Sequence, residues 1–128
     1  MLETSWINIA TTISVKEGDI EATIITAIEG GINYWAAKVR PVEPGADQEP
    51  DGSYRVGYYG PAALVAGIII TDDEGANHQL DRAAIQRGLK LAGEQYPGRL
   101  QTMHDDPWDA GLSDSFVQLC IFGEVIYG

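Results

Sequence analysis

One cysteine, eight basic side chains and no apolar run near the length of a membrane span: these shortages narrow the chemistry first. Cys120, alone and set in an apolar run, has no second thiol for an intramolecular disulfide, which points to a buried core residue and a reducing cytoplasm. The N-terminus lacks the basic-then-apolar layout of a secretory signal, and no stretch approaches the ~20 apolar residues of a membrane span. A soluble protein without membrane contact is expected. Eight Lys and Arg stand against 19 Asp and Glu, a formal net charge of −11, which repels phosphate backbones and disfavours direct nucleic-acid binding. Fifteen glycines are present, yet neither Gly-x-Gly-x-x-Gly nor a phosphate loop ending in Gly-Lys-Ser/Thr occurs, so nucleotide-dependent catalysis has little support. Ser113 and Ser115 lack the Gly-x-Ser-x-Gly elbow of a serine nucleophile. No cofactor is expected.

What is there suits one globular domain over residues 1–128, with 45% apolar and 21% charged residues. Trp6 to Val15 alternates, with Ile7, Ile9, Ile13 and Val15 on one side, and predicts a half-buried strand. Ser14-Val15-Lys16-Glu17 matches a capping box, with Asp19 a competing cap one turn later. Ile20, Ile24, Ala27 and Ile28 recur at helical spacing, and Gly30 is the expected left-handed stop. Ile32 to Val39 predicts a short strand, or a turn followed by a strand, carrying Tyr34 and Trp35. Pro41 to Ser53 is a loop with three Pro and four acids. Tyr54–Tyr59 and the apolar Leu64–Thr71 are further strands, the latter central in a sheet. Asp72 to Gly75 is a turn that returns along Ala76–Leu80. Asp81 caps a helix carrying Ile85, Leu89 and Ala92, where Gly88 implies close packing, and Pro97-Gly98 ends it. Gly98 to Pro107 reads as irregular. Ser113 to Tyr127 fits a buried helix or a hairpin; Phe116, Leu119, Cys120 and Gly123 share a helical face and favour the helix.

Three groups of residues are candidates for chemistry or recognition. His78 with Asp72, Asp73 and Glu74, or His104 with Asp105 and Asp106, could offer metal ligands or an acid/base pair. Neither spacing matches a calcium loop or a zinc helix, and an acidic hairpin tip or a solvated loop explains them as well. No metal site is therefore assigned. The aromatic set Tyr34, Trp35, Tyr54, Tyr58, Tyr59 and Trp108 suits recognition, since Tyr and Trp combine area with a polar tip. Trp35 could equally plug the core below a helix end. Carboxylates form the third group: Glu43, Asp47, Glu49 and Asp51 between Pro41 and Tyr54, and Asp105, Asp106, Asp109, Asp114 and Glu124 after Leu100, with no basic residue in either stretch. Such a surface attracts a cationic partner, and it serves solubility too.

Glu29-Gly30-Gly31-Ile32-Asn33-Tyr34-Trp35, Gly88-Leu89, Asp109-Ala110, Gln118 and the closing Phe122-Gly123-Glu124-Val125-Ile126-Tyr127-Gly128 resemble a family of small proteins of tailed phages, prophages and actinobacterial genomes. The likeness covers both ends and the late helix and leaves the Pro41–Ser53 loop unmatched. It carries over no catalytic residue. It implies a phage or mobile-element setting and a helix for the C-terminal segment.

The expectation is thus an α+β domain, a small mainly antiparallel sheet with two or three helices on one face, whose end motifs meet with Trp35 near Phe122 or Tyr127. A non-enzymatic protein is expected. It would bind a host protein with a basic surface, such as a defence nuclease or CRISPR effector, through Asp105, Asp106, Trp108, Asp109 and the acids Glu43, Asp47, Glu49 and Asp51. The alternative is a ligand- or nucleotide-sequestering protein built on Asn33, Tyr34 and Trp35, and the third a metal-dependent enzyme using His78 or His104.

Overall fold

The computed structural model describes residues 5–42 and 67–128. The Tyr54–Tyr59 strand, the acids Glu43, Asp47, Glu49 and Asp51, and the first residues of the Leu64–Thr71 run lie outside that description. The described chain runs through helix α1 (Glu17–Thr26), a π-helical turn (Ala27–Gly31) and strands β1 (Ala36–Pro41), β2 (Ile68–Asp72) and β3 (Asn77–Leu80). Helices α2 (Arg82–Gln95), α3 (Pro97–Gln101) and α4 (Ala110–Phe122) follow. The strands form one antiparallel sheet in the order β1-β2-β3, making an α+β fold.

Strand β2 is central because Ile68, Ile69 and Ile70 offer apolar side chains to both faces. Ile70 lies opposite Val39 on one side and His78 on the other, and Ile68 opposite Pro41 and Leu80. The β2–β3 turn is built by Asp72. Its Oδ1 accepts the backbone N–H of Glu74 (2.9 Å) and of Ala76 (3.0 Å), while Gly75 takes the positive φ of 88° that a side chain would resist.

Helix α4 is the hub, packing against α1, α2, the π-helical turn and β3. Asp109 caps it by accepting the Leu112 N–H (2.8 Å), and Gly123 ends it at φ 77°. Ser113, Asp114 and Phe116 through Cys120 are all buried, the pattern of a helix enclosed on every side. Helix α2 starts at Asp81, whose side chain accepts the Ala84 N–H (2.9 Å). It approaches α4 through Ala84, Gly88 and Ala92, all buried. A Cβ at Gly88 would collide with the Cys120 Sγ, so close helix contact accounts for a glycine in mid-helix.

Four local expectations are corrected. Trp6 to Val15 is not a strand: it has no ladder partner among the described residues, and only Ile13 and Val15 lean on the core. Alternation supplies a face, but a strand also needs a neighbour for its amides. Helix α1 begins after Lys16 with no side-chain cap, so neither Ser14 nor Asp19 fills that role. Gly30 does not stop the helix. The chain widens into the π turn instead, the Ile32 N–H donating to the Ala27 carbonyl (2.9 Å), and a turn then leads into β1 at Ala36, the turn-and-strand form of the Ile32–Val39 expectation. Gly98 to Pro107 is not irregular throughout: Pro97 stops α2 as expected, then opens the short helix α3 over Pro97–Gln101, where its missing N–H costs nothing in the first turn.

Candidate protein-binding surface

The two end motifs meet at one carboxylate. Tyr34 and Trp35 lie in the turn between the π helix and β1, where Trp35 and Ala36 N–H groups both donate to the Ile32 carbonyl. Gly31 allows that turn to rest against α4, because a Cβ there would stand 2.6 Å from the Ala110 carbonyl oxygen. From this position the Tyr34 hydroxyl donates to Asp114 Oδ2 (2.6 Å) and the Trp35 indole N–H to Asp114 Oδ1 (2.8 Å). One turn on, Gln118 Nε2 donates to Asp114 Oδ1 (2.9 Å) and to the Tyr127 carbonyl (3.3 Å). Gln118 Oε1 accepts the backbone N–H groups of Ile126 (2.9 Å) and Tyr127 (2.8 Å). The Gln118 amide thus serves the tail as a strand partner's peptide group would. Most buried polar groups in folded proteins are satisfied in this way.

Aromatic packing closes the junction. The Trp35 ring stacks on Tyr127 with centroids 5.1 Å apart and planes within 3°, and meets Phe122 at 5.6 Å. The expected meeting of Trp35 with Phe122 or Tyr127 is what the structure shows, with both. Trp35 is 1% exposed. That corrects the ligand-pocket reading of Asn33, Tyr34 and Trp35: both faces and the N–H of the indole are taken by the protein itself. Asn33 points out and donates to the Glu29 carbonyl at 3.4 Å.

Pinning the tail leaves apolar groups outside. Tyr34 is 53% exposed with its hydroxyl turned inward, and Val125 and Ile126 of the tail are exposed too. Tyr34 and the tail meet through Gln118, whose Nε2 lies 3.4 Å from the Tyr34 hydroxyl. Burial of that hydroxyl, then its hydrogen bond to Asp114 and the charge there, pushes the Tyr34 pKa from 10 up to about 12. The neighbourhood is acidic: Glu29 and Glu124 are exposed on the two motifs. Tyr127 is raised first by burial and then by the negative charge of Asp72, Glu74 and Asp73 at the β2–β3 turn. Exposed apolar side chains and exposed carboxylates thus share the two motifs that Gln118 and Asp114 join.

The other candidate residues are scattered by the fold. Asp105 and Asp106 are exposed ahead of α4, and Asp109 is engaged as its cap. Asp114 is internal, and Glu124 lies past the other end of a helix about 20 Å long, so the acids after Leu100 do not form one patch. Trp108 is corrected from a partner contact to a core residue. It is 4% exposed, its N–H donates to the Arg99 carbonyl (3.1 Å), and its ring meets Tyr96 and Phe116 edge-on.

The histidines pair singly. His78 Nε2 lies 2.9 Å from Asp72 Oδ2, with the ring edge-on to Phe122; Asp73 and Glu74 face solvent. The His78 hydrogen bond, with the Ala76 and Glu74 amides, holds the Asp72 carboxyl below its ordinary value despite burial. His104 meets neither Asp105 nor Asp106 but Asp19 of α1, at 3.1 Å. Among the described residues, no three His, Cys, Asp or Glu side chains converge as a metal site would require. Burial pushes the Cys120 thiol up to about 12, the opposite of an activated nucleophile. No helix among the described residues is long and apolar enough to cross a membrane. No family model, curated protein or solved structure matches the chain.

The sequence pointed to Tyr34 and Trp35 but missed Asp114 and Gln118. The signal was present: two polar residues four apart inside an apolar helical run need buried partners.

Proposed function

We propose that this protein is a non-catalytic binding protein that docks on a cationic surface of another protein. The contact is the Tyr34–Val125–Ile126 patch with its carboxylate rim. The supporting observation is that this exposed patch is fixed by the Gln118 hydrogen bonds to the tail, in a chain of net charge −11. An interface works in this division: a rigid apolar centre supplies affinity and the charged rim steers the encounter. Asp105 and Asp106 add to the long-range field without joining the patch. In its specific form, the partner is a host nucleic-acid enzyme, a defence nuclease or CRISPR effector, and the protein is carried by a phage into the host cytoplasm. There, its acidic field competes for a groove that expects phosphate.

The test immobilises the full chain, passes host lysate over it, and follows any retained basic protein after purification. Ile126→Glu is expected to weaken that complex by roughly 30-fold or more, as for a central contact. Asp105→Lys with Asp106→Lys is expected to slow association, and added salt to weaken it. A complex indifferent to salt and to both variants would contradict the reading.

A further inference from the structure

Ser5 to Val15 is eleven consecutive residues without a charged side chain, in a chain that carries 27 charged groups elsewhere. It is rich in Trp, Ile, Thr and Val, the side chains that favour strands. Trp6, Ile7 and Ile9 are nonetheless 87%, 89% and 82% exposed, the three most exposed large apolar side chains of the described residues. Among the described residues, the arm is anchored at its Ile13–Val15 end. Ile13 and Val15 lean on the core and line an open groove of about 580 Å³ along α2, with Leu89, Gly93 and Leu100 on its other side. Three large apolar side chains in water on one short segment mark a contact surface.

Charge selects the occupant. A cationic protein is drawn to the carboxylates and gains nothing electrostatic from a neutral arm. Two copies of this chain repel wherever their acidic surfaces approach, and the neutral arm is where that repulsion is least. We propose that the arm is a self-association element: two copies pair their arms antiparallel across a two-fold axis near Ala10. Period-two geometry puts Ile7 and Ile9 on the side where Ile13 and Val15 already meet the core. Paired in this way, each arm carries Ile7 and Ile9 over the partner copy's groove beside Leu89 and Leu100. The arm's backbone groups, without ladder partners among the described residues, then satisfy one another. Ile7 and Ile9 of each arm fall short of the ~800 Å² per partner of a standard interface, so a concentration-dependent dimer is expected.

Sedimentation equilibrium of the full chain tests this. The expected result is a monomer–dimer equilibrium with dimer dominant at roughly 100 µM. Ile7→Lys with Ile9→Lys should leave a monomer throughout, with its unfolding midpoint in dilute solution unchanged because those side chains touch nothing in one copy. A wild-type monomer at that concentration would overturn the proposal. So would a dimer indifferent to the double variant, or a chain that binds neutral phosphatidylcholine vesicles and does not associate with itself as its concentration rises.

Discussion

Ser5–Val15 and Ala110–Tyr127 are the two apolar stretches at opposite ends of the described chain, and the fold treats them in opposite ways. The first has period-two alternation and no charge, yet Trp6, Ile7 and Ile9 stand in solvent. The second contains Asp114 and Gln118, yet it forms the most enclosed helix among the described residues. The difference lies in partners. Every donor and acceptor that α4 brings inside at Asp114 and Gln118 finds a match in Tyr34, Trp35 or the tail backbone. The arm offers apolar side chains, but its backbone has no strand beside it among the described residues. Polarity alone therefore does not place a residue. Satisfaction of the backbone and of each buried polar group does.

The sharpest way to break this contrast is to remove the shared acceptor. Asp114→Ala leaves the Trp35 N–H, the Tyr34 hydroxyl and Gln118 Nε2 without it, and a loss of about 3–5 kcal/mol is expected from denaturant unfolding. A loss under 1 kcal/mol would mean that the junction is ornamental. Next in size is Gly88→Ala, where the added methyl meets Cys120; overpacking should cost about 1–3 kcal/mol. Cys120→Ala placed on top should recover part of that loss, since it removes the colliding sulfur.

A third prediction concerns pH. Tyr34 holds its proton more tightly folded than unfolded, so its contribution is complete below pH 10 and is lost as pH rises towards about 12. Absorbance titration of the folded protein should show late-titrating tyrosines, Tyr34 together with Tyr96 and Tyr127, and Asp114→Asn should bring Tyr34 alone to lower pH. The smallest effect belongs to the arm. Ile9→Ser is expected to change the stability of the dilute monomer by less than about 0.5 kcal/mol, against the 2–5 kcal/mol typical of truncating a core isoleucine such as Ile70.

Much of this was legible from local rules. The Asp81 cap, the central β2 apolar run, the Asp72–Gly75 turn and the tight packing at Gly88 all follow from short-range chemistry that tertiary context leaves alone. The Phe116–Cys120 face and the meeting of Trp35 with Phe122 and Tyr127 were readable too. The failures share a cause. Whether Trp6–Val15 becomes a strand depends on a neighbour far along the chain. Whether Gly30 ends a helix depends on Ala110, which requires Gly31 to pack close and lets the chain pass through a π turn. Asp114 looked like one more member of an acidic surface because nothing local reveals that Tyr34 and Trp35, about 80 residues earlier, turn towards it.

Amide hydrogen exchange at Ile126 and Tyr127 tests the central claim, that Gln118 fixes the tail and so the surface it presents. Both amides should be protected in the native protein and should exchange much faster in Gln118→Ala, while Val117 and Leu119 within α4 stay slow. Rapid exchange of both amides in the unmodified protein would contradict the account, because a tail that is free has no preformed surface to offer.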